Sequence, residues 1–322
     1  MNALQAIAIV GPTGVGKSAL AMALAEAFGG EIVSADSRQV YRHLDIGTAK
    51  PTADERVRVP HHLLDVVDPD ETFDAARYRA IAIEAVRLIR GRGRPVLICG
   101  GTGLYVRALL HGLFPGPVAS PTLRRELENL EISCGPGTLH RRLAAVDPAA
   151  ATRLHPHDML RVVRALEVAE LTGRPISAWQ RDHRFGDRSV RALIIGCVRA
   201  HGELLTRIET RCRAMIAAGL LEEIRGLWAR GYAPDLAALQ SVGYREMGSH
   251  LRGECDFDTA FDDFVRATRR LAKRQMTWFR GEAETMWFHP DRDRATVVAR
   301  TAAWIEQQCP SATSISNGPS LG

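Results

Sequence analysis

Residues Gly11-Pro12-Thr13-Gly14-Val15-Gly16-Lys17-Ser18 follow the pattern G-x-x-x-x-G-K-[ST]. Glycines let such a loop wrap so that successive N–H groups face an oxyanion. A helix starting from the loop adds the partial positive charge of its N-terminus. Lys17 supplies a point charge to the outer phosphate oxygens, and the Ser18 hydroxyl suits a phosphate-bound Mg²⁺. The chemistry this predicts is binding of a diphosphate or polyphosphate, with Mg²⁺ as the expected cofactor and Ser18 as its one protein ligand. A second candidate is Asp36, in Asp36-Ser37-Arg38-Gln39. A carboxylate there can order Mg²⁺ or act as a general base, the alternative being a turn-forming Asx residue. Gly100-Gly101-Thr102-Gly103 is a third unusual turn.

These turns need elements to hold them. Apolar runs at Ala6 to Val10, Glu31 to Ala35, Pro95 to Cys99 and Ala192 to Cys197 read as strands. Helical spacing follows the first at Ala19 to Phe28 and precedes the third at Phe73 to Arg90. Apolar strands alternating with helices predict an α/β fold, a parallel sheet covered on both faces. Ligands of such sheets bind at the carboxyl ends of the strands, which is where all three turns fall. From Pro115 to Arg188 the strand signal disappears. Ser120-Pro121 starts a helix, and further helices are expected over Thr138 to Val146, Asp147 to Leu154 and Asp158 to Leu171, with Gly173 and Pro175 stopping the last. After the fourth strand the chain is expected to be helical to about Gln308. The domain expectation is therefore a core over 1–117, an all-helical insertion over 118–188, core completion with basic helices over 189–308, and a disordered Ser/Gly/Pro-rich tail over 309–322.

Bulk properties narrow the classes. The chain has 322 residues, 46% of them hydrophobic, enough for a large core without a disulfide or metal staple. No run approaches the length of a membrane span, and the first strand begins too early for a signal peptide. Six cysteines are scattered without a C-x-x-C pair, which points to reduced thiols and a cytoplasmic setting. Net charge is +5, and the cations are nearly all arginine. Lysine survives only at Lys17, Lys50 and Lys273, which makes the latter two candidates as well. His61-His62 looks like a metal pair, but neighbours on a strand point to opposite faces, so structural hydrogen bonding is expected instead.

The basic residues point to nucleic acid. The helix expected over Thr259 to Arg280 carries Arg266, Arg270, Lys273 and Arg280 on one face, with Arg269 and Arg274 alongside and no acid between Asp263 and Glu282. A solvated face normally mixes signs, because i,i+4 ion pairs stabilise it, so a one-sign stripe favours phosphates. Arg161 and Arg164, one turn apart, could extend that footprint. Gln240-Ser241-Val242-Gly243-Tyr244-Arg245 combines a glycine turn, an aromatic and a cation, a mixture suited to unstacked bases. Arg207 and Arg211 offer two forks on one helix face for phosphate. A nucleotide-hydrolysing site would also need a strand ending in a metal-ordering Asp, and neither Val96 to Cys99 nor Ile194 to Cys197 ends in one.

Taken together, GPTGVGKS, DSRQVY, DIGTAKP, HHLLD, GGTGLY, RALE, SVGYRE and LAKRQMTWFR, in this order over about residues 6–281, resemble the bacterial tRNA dimethylallyltransferases (tRNA isopentenyltransferases). The resemblance implies a P-loop NTPase-like core with an all-helical insertion that grips the anticodon stem-loop, and a helical C-terminal part. It implies transfer of a dimethylallyl group from dimethylallyl diphosphate to the exocyclic amine of the adenosine just 3′ of the anticodon. The donor's diphosphate, rather than the ATP that the loop pattern suggests, would occupy the loop, which accounts for the missing acid. Asp36 corresponds to the general base and Thr102 to the residue orienting the amine. Gly11, Pro12, Thr13, Gly14, Val15, Gly16, Lys17, Ser18 and Arg211 would hold the diphosphate. Segments matching tRNA contacts are Asp36, Ser37, Arg38 and Gln39; Thr102; Leu160, Arg161, Val162, Val163 and Arg164; Gln240, Ser241, Val242, Gly243, Tyr244 and Arg245; and Lys273, Arg274, Gln275, Met276, Thr277, Trp278, Phe279 and Arg280. The expected partners are tRNA and dimethylallyl diphosphate, with no membrane, and the chain is expected to be a monomer. The rivals are prenylation of a free adenine nucleotide, a P-loop kinase of a small metabolite, and a non-catalytic RNA-binding module. The first needs neither insertion nor basic helix, and the last needs neither the Asp36 nor the Thr102 turn.

Overall fold

Strand β1 (Leu4–Val10) sits mid-sheet and alternates its side chains between two cores. Ala6, Ala8 and Val10 face one, with Tyr78, Val86 and Leu109; Ile7 and Ile9 face the other, with Leu20 and Leu24. That two-sided burial explains why β1 reads as an unbroken apolar run. The computed structural model describes residues 4–183, 186 and 189–307, so the expected tail over 309–322 lies outside the described residues.

In chain order, β1 leads through the glycine loop to α1 (Lys17–Phe28), followed by β2 (Glu31–Ser34), α2 (Ala53–Arg58), β3 (His61–His62), α3 (Ala75–Gly91), β4 (Val96–Gly100) and α4 (Gly103–His111). The next helices are α5 (Pro121–Cys134), α6 (Thr138–Val146), α7 (Pro148–Arg153), α8 (Met159–Thr172) and α9 (Ile176–His183). The chain then continues with β5 (Val190–Cys197), α10 (His201–Ala217), α11 (Leu220–Ala229), α12 (Tyr244–Leu251), α13 (Phe257–Arg280), β6 (Met286–Phe288) and α14 (Arg294–Glu306). The described residues form two compact units, one of those up to Leu110 together with those from Ser189 on, the other of those from His111 to before Ser189. The boundary falls at His111, ahead of the expected 118, because α4 ends there.

The first unit holds a six-stranded sheet in the order β3-β2-β4-β1-β5-β6, with every pairing parallel. The four longer strands match the apolar runs. The two edge strands do not: β3 has two residues and β6 three, too short to show alternation, and β6 corrects the expectation of helix to Gln308. A further core in this unit joins α10 to α13 through Ile208, Leu220, Leu227, Tyr244, Met247 and Phe264.

The second unit is all helix around Leu127, Leu139, Leu143, Val162 and Leu166. Its helix starts are capped as the sequence indicates: Ser120 accepts from Leu123 N and Asp147 from Ala150 N, each followed by proline. Gly173 ends α8 in the left-handed conformation, but α9 follows directly, one helix more than expected. At its centre the buried Glu167 carboxylate accepts from Ser120 N at 2.7 Å and from Arg124 at 2.8 and 2.9 Å, and pairs with Arg164 at 2.5 Å. Burial alone would raise that carboxyl; the two arginines and the Ser120 N–H outweigh it and hold its pKa at about 2.

Candidate active site

A cavity of about 740 Å³ opens at the carboxyl ends of β1, β4 and β2 and is lined by Thr13, Lys17, Ser18, Asp36, Thr102 and Arg211 among others. The three unusual turns thus line one cavity.

The glycine loop is shaped from outside by two arginines. Arg199 Nε donates to Val15 O at 2.7 Å, and Arg207 Nε donates to Gly14 O at 2.9 Å. These two bonds fix the Gly14 and Val15 carbonyls, and Val15 N closes the loop onto Pro12 O. Gly11 needs its glycine: its φ is 143°, and a Cβ there would lie 2.8 Å from Cys197 O. Leu20 N reaches back to Gly16 O, so the N–H groups of Lys17, Ser18 and Ala19 have no partner within α1 and remain for a ligand. Burial lowers the Lys17 pKa and the Arg211 cation lowers it further, opposed by the Asp36 carboxylate. An anion in this cradle would relieve that cost.

Asp36 follows β2, and its Oδ1 accepts from Arg38 N at 2.9 Å, so the Asx turn forms and the carboxylate still lines the cavity. Thr102 ties this turn to β4: its N–H donates to Ala35 O at 3.1 Å, its hydroxyl oxygen accepts from Ser37 N at 2.9 Å, and the hydroxyl donates to Ser37 Oγ at 3.2 Å. The approach is close enough that a Cβ at Gly100 would lie 2.1 Å from Ala35 O. Arg211, on α10, also lines the cavity, and the attraction of Asp36 partly offsets the lowering of its pKa by burial.

Several expected RNA-contact residues are turned into the fold. Val162 and Val163 lie in the core of the helical unit. Gly243 and Phe279 are buried, Ser241 is buried yet lines the cavity, and the Tyr244 ring is buried with its hydroxyl donating to Glu223 at 2.5 Å, so it cannot stack on a base. Trp278 packs under the Arg107 guanidinium. Gln39 donates to Ala49 O at 3.1 Å but still lines the cavity, and Arg164 is drawn to Glu167 and Pro117 O. The exposed members of these segments are Leu160, Arg161, Gln240, Arg245, Lys273, Arg274, Thr277 and Arg280, and Asp36, Ser37, Arg38, Gln39, Thr102, Arg164, Val242, Gln275, Met276 and Trp278 are half-buried. The one-sign stripe also needs correcting. Arg266 pairs with Asp263 at 2.8 Å and Arg269 with Glu209 at 3.2 Å, whereas Arg270 and Arg274 line the cavity.

Lys50 is a buried strut: its ammonium donates to Tyr41 O, Asp45 and Asp65, each at 2.6 Å, beside left-handed Ala49 and Asp65. His62 bonds Glu31 at 2.7 Å and His61 bonds Val59 O at 2.8 Å, which is the structural use expected of them.

Sequence reasoning missed Arg199, Glu223 and the placement of Gln275. Arg199 stands two residues beyond β5, at the crevice end of a core strand, and that position was a readable signal. Glu223 caps the N–H groups of Asp45, Ile46 and Gly47 from α11, far along the chain, with no local mark.

The IPP transferase family model matches residues 39–282. A tRNA dimethylallyltransferase of Geobacter metallireducens is 54% identical over 281 residues, covering 87% of this chain and 91% of that one. The crystal structure of a full-length tRNA isopentenylpyrophosphate transferase from Bacillus halodurans aligns with a TM-score of 0.70 at 39% identity, covering 95% and 98% of the two chains. A eukaryotic dimethylallyltransferase solved acting on tRNA aligns with a TM-score of 0.74 at 29% identity, over 93% of this chain and 77% of that one.

Proposed function

This chain belongs to the IPP transferase family, and we infer that it moves a dimethylallyl group from dimethylallyl diphosphate to the N6 amine of the adenosine 3′-adjacent to the tRNA anticodon. Its core is the P-loop NTPase-like α/β fold, and its substrate is tRNA. The observation that carries the chemistry is one cavity lined by both an anion cradle (the loop, Lys17 and Arg211) and a carboxylate, Asp36.

An exocyclic amine is a poor nucleophile, so the site must accept its proton and hold the departing anion. The N6 lone pair forms a bond to C1 of the donor as the C1–O bond to diphosphate breaks and its electron pair leaves with the diphosphate. One amine proton passes to Asp36. Thr102, its hydroxyl fixed by Ser37, orients the amine, while Lys17, Arg211 and the α1 N-terminus take up the growing charge on the leaving group. The donor set fits Mg²⁺: the Ser18 hydroxyl and diphosphate oxygens are hard ligands, and no group of three His, Cys, Asp or Glu gathers among the described residues to form an all-protein cage. Ser18 would hold the ion, which when bound neutralises the leaving diphosphate. A monomer acting in the cytoplasm fits this reading; no described helix is long and apolar enough to cross a membrane.

Labelled substrates separate the rivals. With dimethylallyl-labelled donor, label should appear in tRNA and not in free adenine nucleotide, and γ-labelled ATP should transfer nothing. Label in free nucleotide, or γ-phosphate transfer to a small metabolite, would replace this reading.

A further inference from the structure

Gln275 projects from α13 and bridges two of the three turns. Its side-chain oxygen accepts from Thr13 N at 2.8 Å, and its side-chain nitrogen donates to Gly101 O at 3.0 Å. The fit is close: a Cβ on Gly101 would stand 2.3 Å from the Gln275 nitrogen and 3.4 Å from Gly11 O. Pro12 has no N–H, so after Gly11 the Thr13 N–H is the first donor of the loop. The oxygen facing it belongs to a neutral side chain of the protein and sits where an anion's oxygen would otherwise go. What stays unpaired is the other end of the cradle, the backbone N–H groups in the first turn of α1, beside Lys17, whose ammonium makes only a long 3.4 Å bond to Pro12 O.

From this geometry we propose that Gln275 is a specificity-determining residue that closes the cradle after two phosphates and so excludes triphosphates. The loop pattern by itself can seat a nucleoside triphosphate, with the lysine reaching the outer phosphates. A third phosphate needs donors beyond those serving the first two. Here the first donor of the loop, Thr13 N–H, is spent on an amide oxygen, and that amide is anchored at its other end to the β4 turn. Displacing it would leave the amide without its donor and the Gly101 carbonyl without its partner, a cost that binding of a diphosphate does not incur. The inference rests on the reading that a diphosphate occupies the loop and adds what limits the ligand to that length.

The test is inhibition by inorganic diphosphate and by tripolyphosphate, competing with dimethylallyl diphosphate at saturating tRNA and fixed free Mg²⁺. The parent enzyme should prefer diphosphate. In Gln275→Ala the ratio of the two inhibition constants should move toward tripolyphosphate by about tenfold or more, the fold-change that one hydrogen bond to a charged group is worth. If that variant does not fold, Gln275→Asn, which keeps an amide but withdraws it by one methylene, should move the ratio the same way. Equal weakening of both inhibitors, or an unchanged ratio, would make Gln275 a strut only and overturn the inference while leaving the diphosphate reading intact. A parent enzyme that already prefers tripolyphosphate would overturn the diphosphate reading itself, and the inference with it.

Discussion

Asp36 lines the cavity with one carboxylate oxygen tied to Arg38 N. Removing it should therefore cost chemistry more than binding. Asp36→Ala is expected to lower the single-turnover rate by about 10²–10⁴-fold, the usual contribution of a general base, while tRNA affinity stays near that of the parent. A near-parental rate would remove Asp36 from the base role. Among residues, those recognised from sequence sit in local patterns: the loop glycines, Lys17, the Asp36 turn and Thr102. The ones missed act across the chain. Gln275 reaches Thr13 and Glu223 reaches Gly47, contacts that only the folded packing creates. Tyr244 was misread for the same reason. An aromatic beside a glycine turn looks available, but its ring fills the space over Gly47, where a Cβ would lie 2.4 Å from it.

At the scale of elements, α13 is the case where pattern and packing diverge. Its cations form a stripe in sequence, yet Asp263 and Glu209 neutralise Arg266 and Arg269, leaving Arg270 and Arg274 at the cavity and Lys273 exposed beside them. Asp263 lies one turn back on α13 itself, and Glu209 comes from α10, a partner that a reading along one helix does not weigh. Replacing Lys273 and Arg274 together should flatten the plot of log affinity for an anticodon stem-loop against log salt by roughly 1.4, about 0.7 for each single-stranded phosphate contact. Replacing Arg266 and Arg269 should change it by less than about 0.7, since their charges are already partnered. Binding isotherms at several salt concentrations would decide, and equal effects from the two pairs would return α13 to a uniform basic face. The short strands β3 and β6 escaped notice because two or three residues carry no period, whereas β1, β2, β4 and β5 announce themselves through two-sided burial.

For the whole molecule, the order of apolar runs and helices was enough for a parallel sheet with a helical insertion, because each unit has its own core and its own local signals. The Glu167 cluster that knits the insertion was not legible, since RALE shows a helix and not the arginines that converge on it. Its carboxyl is depressed in the fold, so its stabilisation is fully present above about pH 4.5 and is lost as pH falls toward about 2. Glu167→Gln should cost about 3 kcal/mol near neutral pH, as expected for breaking a buried ion pair. Denaturant unfolding of the full chain should show the gap to the parent narrowing over that acid window, and a gap constant with pH would contradict the assignment.

The central claim is that the cradle and Asp36 act together to prenylate an adenosine in tRNA. Mass spectrometry of nucleosides digested from tRNA, after incubation with dimethylallyl diphosphate and Mg²⁺, tests it most directly. The account predicts one adenosine per substrate tRNA, mapped 3′-adjacent to the anticodon, heavier by the exchange of an amine hydrogen for a dimethylallyl group, and formed about 10²–10⁴-fold more slowly with Asp36→Ala. Unmodified tRNA with the parent enzyme, or a prenyl group on any base other than that adenosine, would contradict it.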